Sequence, residues 1–418
     1  MAKKFYAPIV ILMSWLLTTL FFFYYGPYEY QLASPWVFNS YIFFIHVSIL
    51  LGYIVGQQSY GRKLNIKINY YKFVKLLIRF SIFYTVLMLI ITKGGDVGRV
   101  GQAIDNPADA YLAGSTKAAP TLFSYLNIII APIITLAITN SILIWKRISS
   151  LDKLLVIAYI IITILSAVGS SVRSGLVAII LSIFSAYMLG IFKGYFEFNL
   201  KYKLFAFIAI ISILYGFFTY SANLVENRGT TLIVNPLTGK GPDENFILYR
   251  ILPEKWNLTV TGLGFYLSHS YYRLNMAMNM PSKGLGFGLT NSYFVMRNIS
   301  VITGWNGLED ISYGLRMDKE SEYGIFGVYW ATFYTWAASD FGFIGTIPIV
   351  FFISYFFSIS LKDSLIDNNP FAITTFCNFF GFIYSFPTVN SLQDGPGLTT
   401  VLGIFLIWIT TRKKFAYD

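Results

Sequence analysis

The length of its apolar runs constrains this chain more than any other feature. Residues 6–25, 36–57, 73–92, 122–144, 154–170, 175–192, 204–221, 340–360, 371–389 and 396–411 are strongly apolar throughout. A bilayer core about 30 Å thick is crossed by about 20 residues of helix, so each run predicts a spanning element. The runs are continuous rather than alternating, which points to helices and away from a β-barrel. Only 12% of residues are charged, whereas soluble chains carry about 25%. The expected fold is an all-α polytopic membrane protein with about ten transmembrane helices. A bundle over 1–221 comes first, then a large loop over 222–339 between the seventh and eighth helices, then helices over 340–418. Lys3 and Lys4 precede the first run, but Phe21, Phe22, Phe23, Tyr24 and Tyr25 end it. Small residues would mark a cleavage site there, so the run is expected to be a retained anchor.

Orientation follows from charge. With the N-terminus in the cytoplasm, the inner ends and short loops hold 18 basic and 5 acidic residues, and the other side holds 13 basic and 15 acidic. This excess of Lys and Arg on one side is the positive-inside pattern, and it places both termini in the cytoplasm. The overall charge of +11 is therefore a matter of topology, and nucleic acid is not an expected partner.

The loops are unequal. Inner connections are short, whereas the outer side receives residues 93–121 and the much longer 222–339. A loop of that length is functional or has structure of its own. It keeps Trp256, Trp305, Trp330 and Trp336, so it is expected to fold against the membrane. Residues 258–280 and 323–338 (YGIFGVYWATFYTWAA) read as amphipathic or re-entrant helices.

Several chemistries are missing. Cys377 is the single cysteine and falls in a predicted span, so no intramolecular disulfide forms. The two histidines, His46 and His269, are far apart, and no transition-metal ligand set is visible. The run GLGFG at 284–288 follows no strand and reads as a loop, not a dinucleotide fingerprint. The inner loops are too small for a nucleotide-binding domain. No cofactor is expected.

What remains is a set of ionisable residues on the outer side. His269 and Arg273, in GFYLSHSYYRLNMAMNM, stand four positions apart and share one face of a helix. A histidine there either fills an interface or serves as a base or anion ligand near neutrality. Arg173, in GSSVRSGLV, lies at the outer mouth between two spans, where a guanidinium is costly unless paired. Arg228, Arg250, Arg297 and Arg316 are scattered along the long loop. Singly they read as solvated charges; together they can form a diphosphate cradle, since the guanidinium fork matches phosphate oxygens. Asp318, Glu320 and Glu322, in RMDKESEYG, read as a solvated run or as a source of a carboxylate base. His46 is expected to make a helix–helix hydrogen bond, and Asp340 to cap the helix that follows it.

These features together resemble a family. SSVRSG at an outer helix mouth, a large late outer loop, the YLSHS segment and an aromatic stretch running into SDFGFIGTIPIVFF are similar to the bacterial O-antigen (oligosaccharide repeat unit) polymerases, the Wzy-type enzymes. The resemblance is one of architecture over nearly the whole chain. The Arg-x10-Gly spacing of that family's outer loops is matched by Arg228/Gly239, Arg273/Gly284 and Arg316/Gly327, in a chain holding 33 glycines.

The resemblance implies a GT-C-like, metal- and nucleotide-independent glycosyltransferase of the inner membrane, with its active site on the periplasmic face. It would transfer a growing undecaprenyl-diphosphate-linked glycan onto a lipid-linked repeat unit, alongside a flippase and a chain-length regulator of the same pathway. Arg173, Arg228, Arg250, Arg273 and Arg316 would hold diphosphate, and His269, Glu320 or Glu322 would take the acceptor proton. An O-antigen ligase, delivering glycan to lipid A core, shares this architecture and stays open. A flippase or transporter would show paired repeats and a charged midplane site, neither of which is evident.

Overall fold

The computed structural model describes residues 2–92, 94–105, 122–169, 173–196, 234–235, 237–320 and 331–412. Among them there is no β-strand. The longer helices are α1 (Ala2–Tyr25), α2 (Pro35–Gln58), α3 (Tyr70–Ile91), α4 (Leu122–Leu143), α5 (Ser150–Gly169) and α6 (Arg173–Phe192). After them come α7 (Asn257–Met278), α8 (Tyr293–Thr303), α9 (Tyr313–Glu320), α10 (Phe333–Ile366) and α11 (Pro370–Ser385). The last, α12 (Gly395–Thr411), carries a π-turn at Thr399–Gly403.

Seven helices among the described residues are long and apolar enough to cross a membrane: α1 to α6 and α10. The chain is thus built as a multi-pass membrane protein. The runs at 371–389 and 396–411 also form helices, of 16 residues for α11 and at most 17 for α12, shorter than the other seven. The run at 204–221 lies outside the described residues, as does the first half of 323–338, whose second half leads into α10.

The chain divides into two compact units that do not follow chain order. One comprises Met1–Ser59, Thr230–Ser358 and Phe382–Leu398; the other comprises Tyr60–Gly229, Ile359–Gly381 and Thr399–Asp418.

In the first unit, α2 and α10 meet backbone to backbone. A Cβ on Gly52 would lie 2.2 Å from the Phe351 carbonyl oxygen, and one on Gly56 would lie 2.6 Å from that of Tyr355. This Gly-x-x-x-Gly spacing lets two helices approach where apolar burial gives little drive within lipid. Hydroxyls complete the contact: Ser48 donates to the Ile347 carbonyl at 2.8 Å and Ser354 to that of Ile49 at 2.6 Å. The pair α1 and α7 is joined by Thr19 and Tyr271, whose hydroxyls are 3.2 Å apart, and by the rings of Phe23 and Tyr271.

In the second unit, residues assigned by charge to one membrane side come together. Asp363, fully buried, accepts from the Arg62 amide at 2.7 Å, Trp408 Nε1 at 2.9 Å and Arg412 Nε at 2.6 Å. Asp152 pairs with Arg79 at 3.2 Å and Lys75 at 3.9 Å. Lys193 Nζ donates to the carbonyls of Ser364 at 2.5 Å and Asp367 at 3.2 Å, and burial lowers its pKa to about 8.

A polar pin crosses this unit as well. Asn140 accepts from the Tyr70 hydroxyl at 3.0 Å and donates to Thr374 Oγ1 at 3.0 Å and to the Leu136 carbonyl at 2.9 Å. Tyr70→Phe is expected to cost about 1–2 kcal/mol, the usual range for one buried hydrogen bond whose acceptor is left unpaired. A fall of a few degrees in the thermal midpoint of detergent-solubilised protein would register it, whereas an unchanged midpoint would show the pin to be dispensable.

Candidate functional site

The site is built on α7, which was expected to sink one greasy side and present one polar edge. Instead it is buried almost all round: Val260, Phe265, Leu267, Tyr271, Leu274 and Ala277 are covered, and so are Ser268, His269, Ser270, Arg273 and Asn275. Only Tyr266, 40% exposed, breaks this cover, and a helix buried over most of its surface belongs to a core. Its polar groups must then find partners. Ser268 Oγ donates to the Gly264 carbonyl at 2.6 Å and lies 2.9 Å from the Tyr30 hydroxyl, while Ser270 Oγ donates to the Thr388 carbonyl at 2.9 Å.

His269 is 2% exposed. Its ring stacks on Phe265 with centroids 4.8 Å apart and planes 13° from parallel. Nδ1 lies 2.9 Å from the Phe265 carbonyl oxygen. A carbonyl only accepts, so Nδ1 carries a proton and donates. Ser270 Oγ stands 3.4 Å from Nε2. The backbone of α7 thus fixes the ring's orientation, as a carboxylate or carbonyl partner does for a catalytic imidazole.

One turn further along the same face, the Arg273 Nη2 donates to Asp318 Oδ1 at 2.5 Å, and to the Gly314 carbonyl at 3.5 Å. The two side chains are only 4% and 8% exposed, so this is a buried ion pair. Burial raises the Asp318 carboxyl above its ordinary range, and the Arg273 guanidinium draws it back only in part. Arg316, 2% exposed, sits on the same short helix, α9; its Nη1 donates to the Pro281 carbonyl at 2.8 Å and its guanidinium lies over the Tyr313 ring.

So the structure joins Arg273 of α7 to Asp318 of α9, with His269 one turn before Arg273, whereas Arg316 of α9 turns to Pro281 and Tyr313. The acidic run was read as solvated or as a base; its first member is instead the partner of Arg273. Nothing in the spacing announced that pair, because 45 residues separate its members. Arg250 is exposed and donates to Asn245 Oδ1 at 3.0 Å, and Arg297 is half-buried on α8. Arg173 is the first residue of α6, at a helix mouth as expected, and belongs to the other compact unit. Its side chain and that of Glu320, the last residue of α9, lie outside the described residues, as do Arg228 and Glu322 entirely.

Two neighbouring expectations are corrected. His46 does not bond across helices: Nδ1 donates to the Ile42 carbonyl of its own helix at 2.7 Å. Nor does Asp340 act as a cap. Fully buried within α10, it accepts from both the amide and the hydroxyl of Thr290, at 2.9 and 2.6 Å.

No protein-family model, curated protein or solved structure matches this chain.

Proposed function

We propose that the protein is a polysaccharide polymerase acting on two lipid-linked glycans at the outer face of the bacterial cytoplasmic membrane. The observation that carries this reading is the oriented imidazole of His269, one turn from a buried arginine on a helix outside the seven spans. In the reaction, the acceptor hydroxyl oxygen attacks the anomeric carbon of the donor glycan. The bond from that carbon to the diphosphate oxygen breaks, and polyprenyl diphosphate leaves with the electron pair. The hydroxyl proton passes to His269 Nε2, or to a carboxylate of the 318–322 run. Arginines steady the charge gathering on the departing diphosphate, the terms most effective where water is excluded. The donor is already activated, so the step needs no nucleotide.

His269 and Arg273 are covered in this structure, so substrate reaches them when the elements above α7 part. Support for a lipid-borne substrate comes from the setting, since the site is tied to α1, a helix that can cross the bilayer.

The glycan pattern of a deletion strain tests the reading. Single repeat units on the lipid core, restored to a ladder by the intact gene, are the expected result. Free polymer lacking a core would instead identify a ligase. Repeat units held at the inner face would identify a flippase, and an unchanged ladder would remove the protein from glycan assembly.

A further inference from the structure

The run GLGFGLT, residues 284–290, alternates glycine with large apolar side chains. Its two faces meet different surroundings. Gly286 and Thr290 are buried, whereas Leu285 is 42%, Phe287 76% and Leu289 41% exposed. The buried face is pinned to α10. The Gly286 amide donates to the Ser339 carbonyl at 3.0 Å, the Phe287 amide to the Asp340 carbonyl at 3.2 Å, and Thr290 holds the Asp340 carboxylate. Glycine is required at 286, because a Cβ there would lie 2.5 Å from Asp340 Oδ1. Phe287 has a φ of 50°, a left-handed conformation that bulky residues rarely adopt. The fold accepts this backbone strain while holding a phenyl ring outward, where ordinary folding would hide it.

The level at which the loop is pinned can be read from α10. Residues 341–361 carry no charge, and Asp340 stands before them and Lys362 and Asp363 after them. From Phe343 to Leu361, at 1.5 Å per residue, this stretch measures about 28 Å, close to the thickness of a hydrocarbon core. Asp340 therefore marks one edge of that core, and the loop bonded to residues 339 and 340 sits at the same edge. Just beyond, α10 departs from helical geometry at Gly342 (φ 72°, ψ 166°), and Ile344 is 85% exposed. A Cβ on Gly342 would lie 3.9 Å from Leu285 Cδ2, so the apolar face of the loop is continuous with the start of the span.

We propose that residues 285–289 form a lipid-inserted loop, with Leu285, Phe287 and Leu289 dipping among the acyl chains of the leaflet at the Asp340 end of α10. The occupant of this apolar surface is bilayer lipid. Exposed apolar side chains at the rim of a core are stabilised there by burial in lipid, whereas in water they would be a liability. The inference concerns a contact with the membrane and holds whatever reaction the protein performs.

The test uses full-length protein in liposomes. Cys377 is the sole native cysteine and is buried, so Cys377→Ala gives a background in which one introduced cysteine takes the label. Phe287→Cys would carry an environment-sensitive fluorophore, with Ile344→Cys as the lipid-facing reference and the exposed Glu254→Cys as the aqueous one. Expected is a blue-shifted emission from position 287, lost to a quencher carried on lipid tails and untouched by a water-soluble quencher, as at 344. Emission from 287 that is quenched only from water, as at 254, overturns the proposal. If Phe287→Cys does not yield folded protein, Leu289→Cys is read by the same two outcomes.

Discussion

Arg273→Met is expected to cost the folded protein roughly 3–5 kcal/mol, the usual result of leaving a buried charge without its partner. The carboxylate of Asp318, 8% exposed, would be stranded beside α7. Asp318→Asn should cost less. The Asp318 carboxyl titrates above its ordinary range even with the guanidinium in contact, so burial outweighs the attraction and a neutral group is tolerated there. The double variant Arg273→Met/Asp318→Leu, which removes both charges, should recover most of what Arg273→Met loses. Thermal unfolding in detergent, followed by size-exclusion, measures all three. A double variant as unstable as the sum of the singles would show that the two residues are not coupled.

The same pair has a pH signature. A carboxyl whose folded pKa is raised favours folding most below its unfolded pKa, and that contribution fades as pH rises through the folded value. Mild acidification just above the ordinary carboxylate range should therefore stabilise the native protein relative to Asp318→Asn. Under the proposed function, Arg273 would meet a diphosphate with one nitrogen already committed to Asp318. An anion that binds there either uses the remaining face of the guanidinium or takes the carboxylate's place.

The apolar helices were legible because the length of an apolar run is a local property of the chain. Six of its ten expected spans, from α1 to α6, begin and end within a few residues of the observed helices. The helix over 258–280 was also legible, appearing as Asn257–Met278. What escaped is long-range. Gly52 and Gly56 read as ordinary residues of an apolar run until Phe351 and Tyr355 are seen against them. Asp340 looked like a helix cap because its partner Thr290 lies 50 positions away. The burial of most of α7 also escaped, since its serines, histidine and arginine suggested a polar edge. Their hydrogen bonds to Gly264, Phe265, Thr388 and Asp318 make a polar face compatible with a core.

The burial of α7 also sharpens what His269 must do, and His269→Ala is expected to abolish polymer while folded protein stays within about twofold of normal. The hydrogen bond to the carbonyl of the same helix is lost on truncation, and such bonds are worth about 1 kcal/mol. The ring also leaves a cavity against Phe265, so some loss of stability accompanies it. General-base catalysis contributes about a hundred- to ten-thousandfold in rate, far beyond what that loss explains. His269→Gln separates the two roles left open for the histidine. Glutamine can donate to phosphate oxygen but cannot accept a proton as imidazole does, so partial activity marks a diphosphate ligand and none marks a base. Full-length polymer at normal yield from His269→Ala would reduce the residue to packing against Phe265. The search for the base would then pass to Glu320 and Glu322.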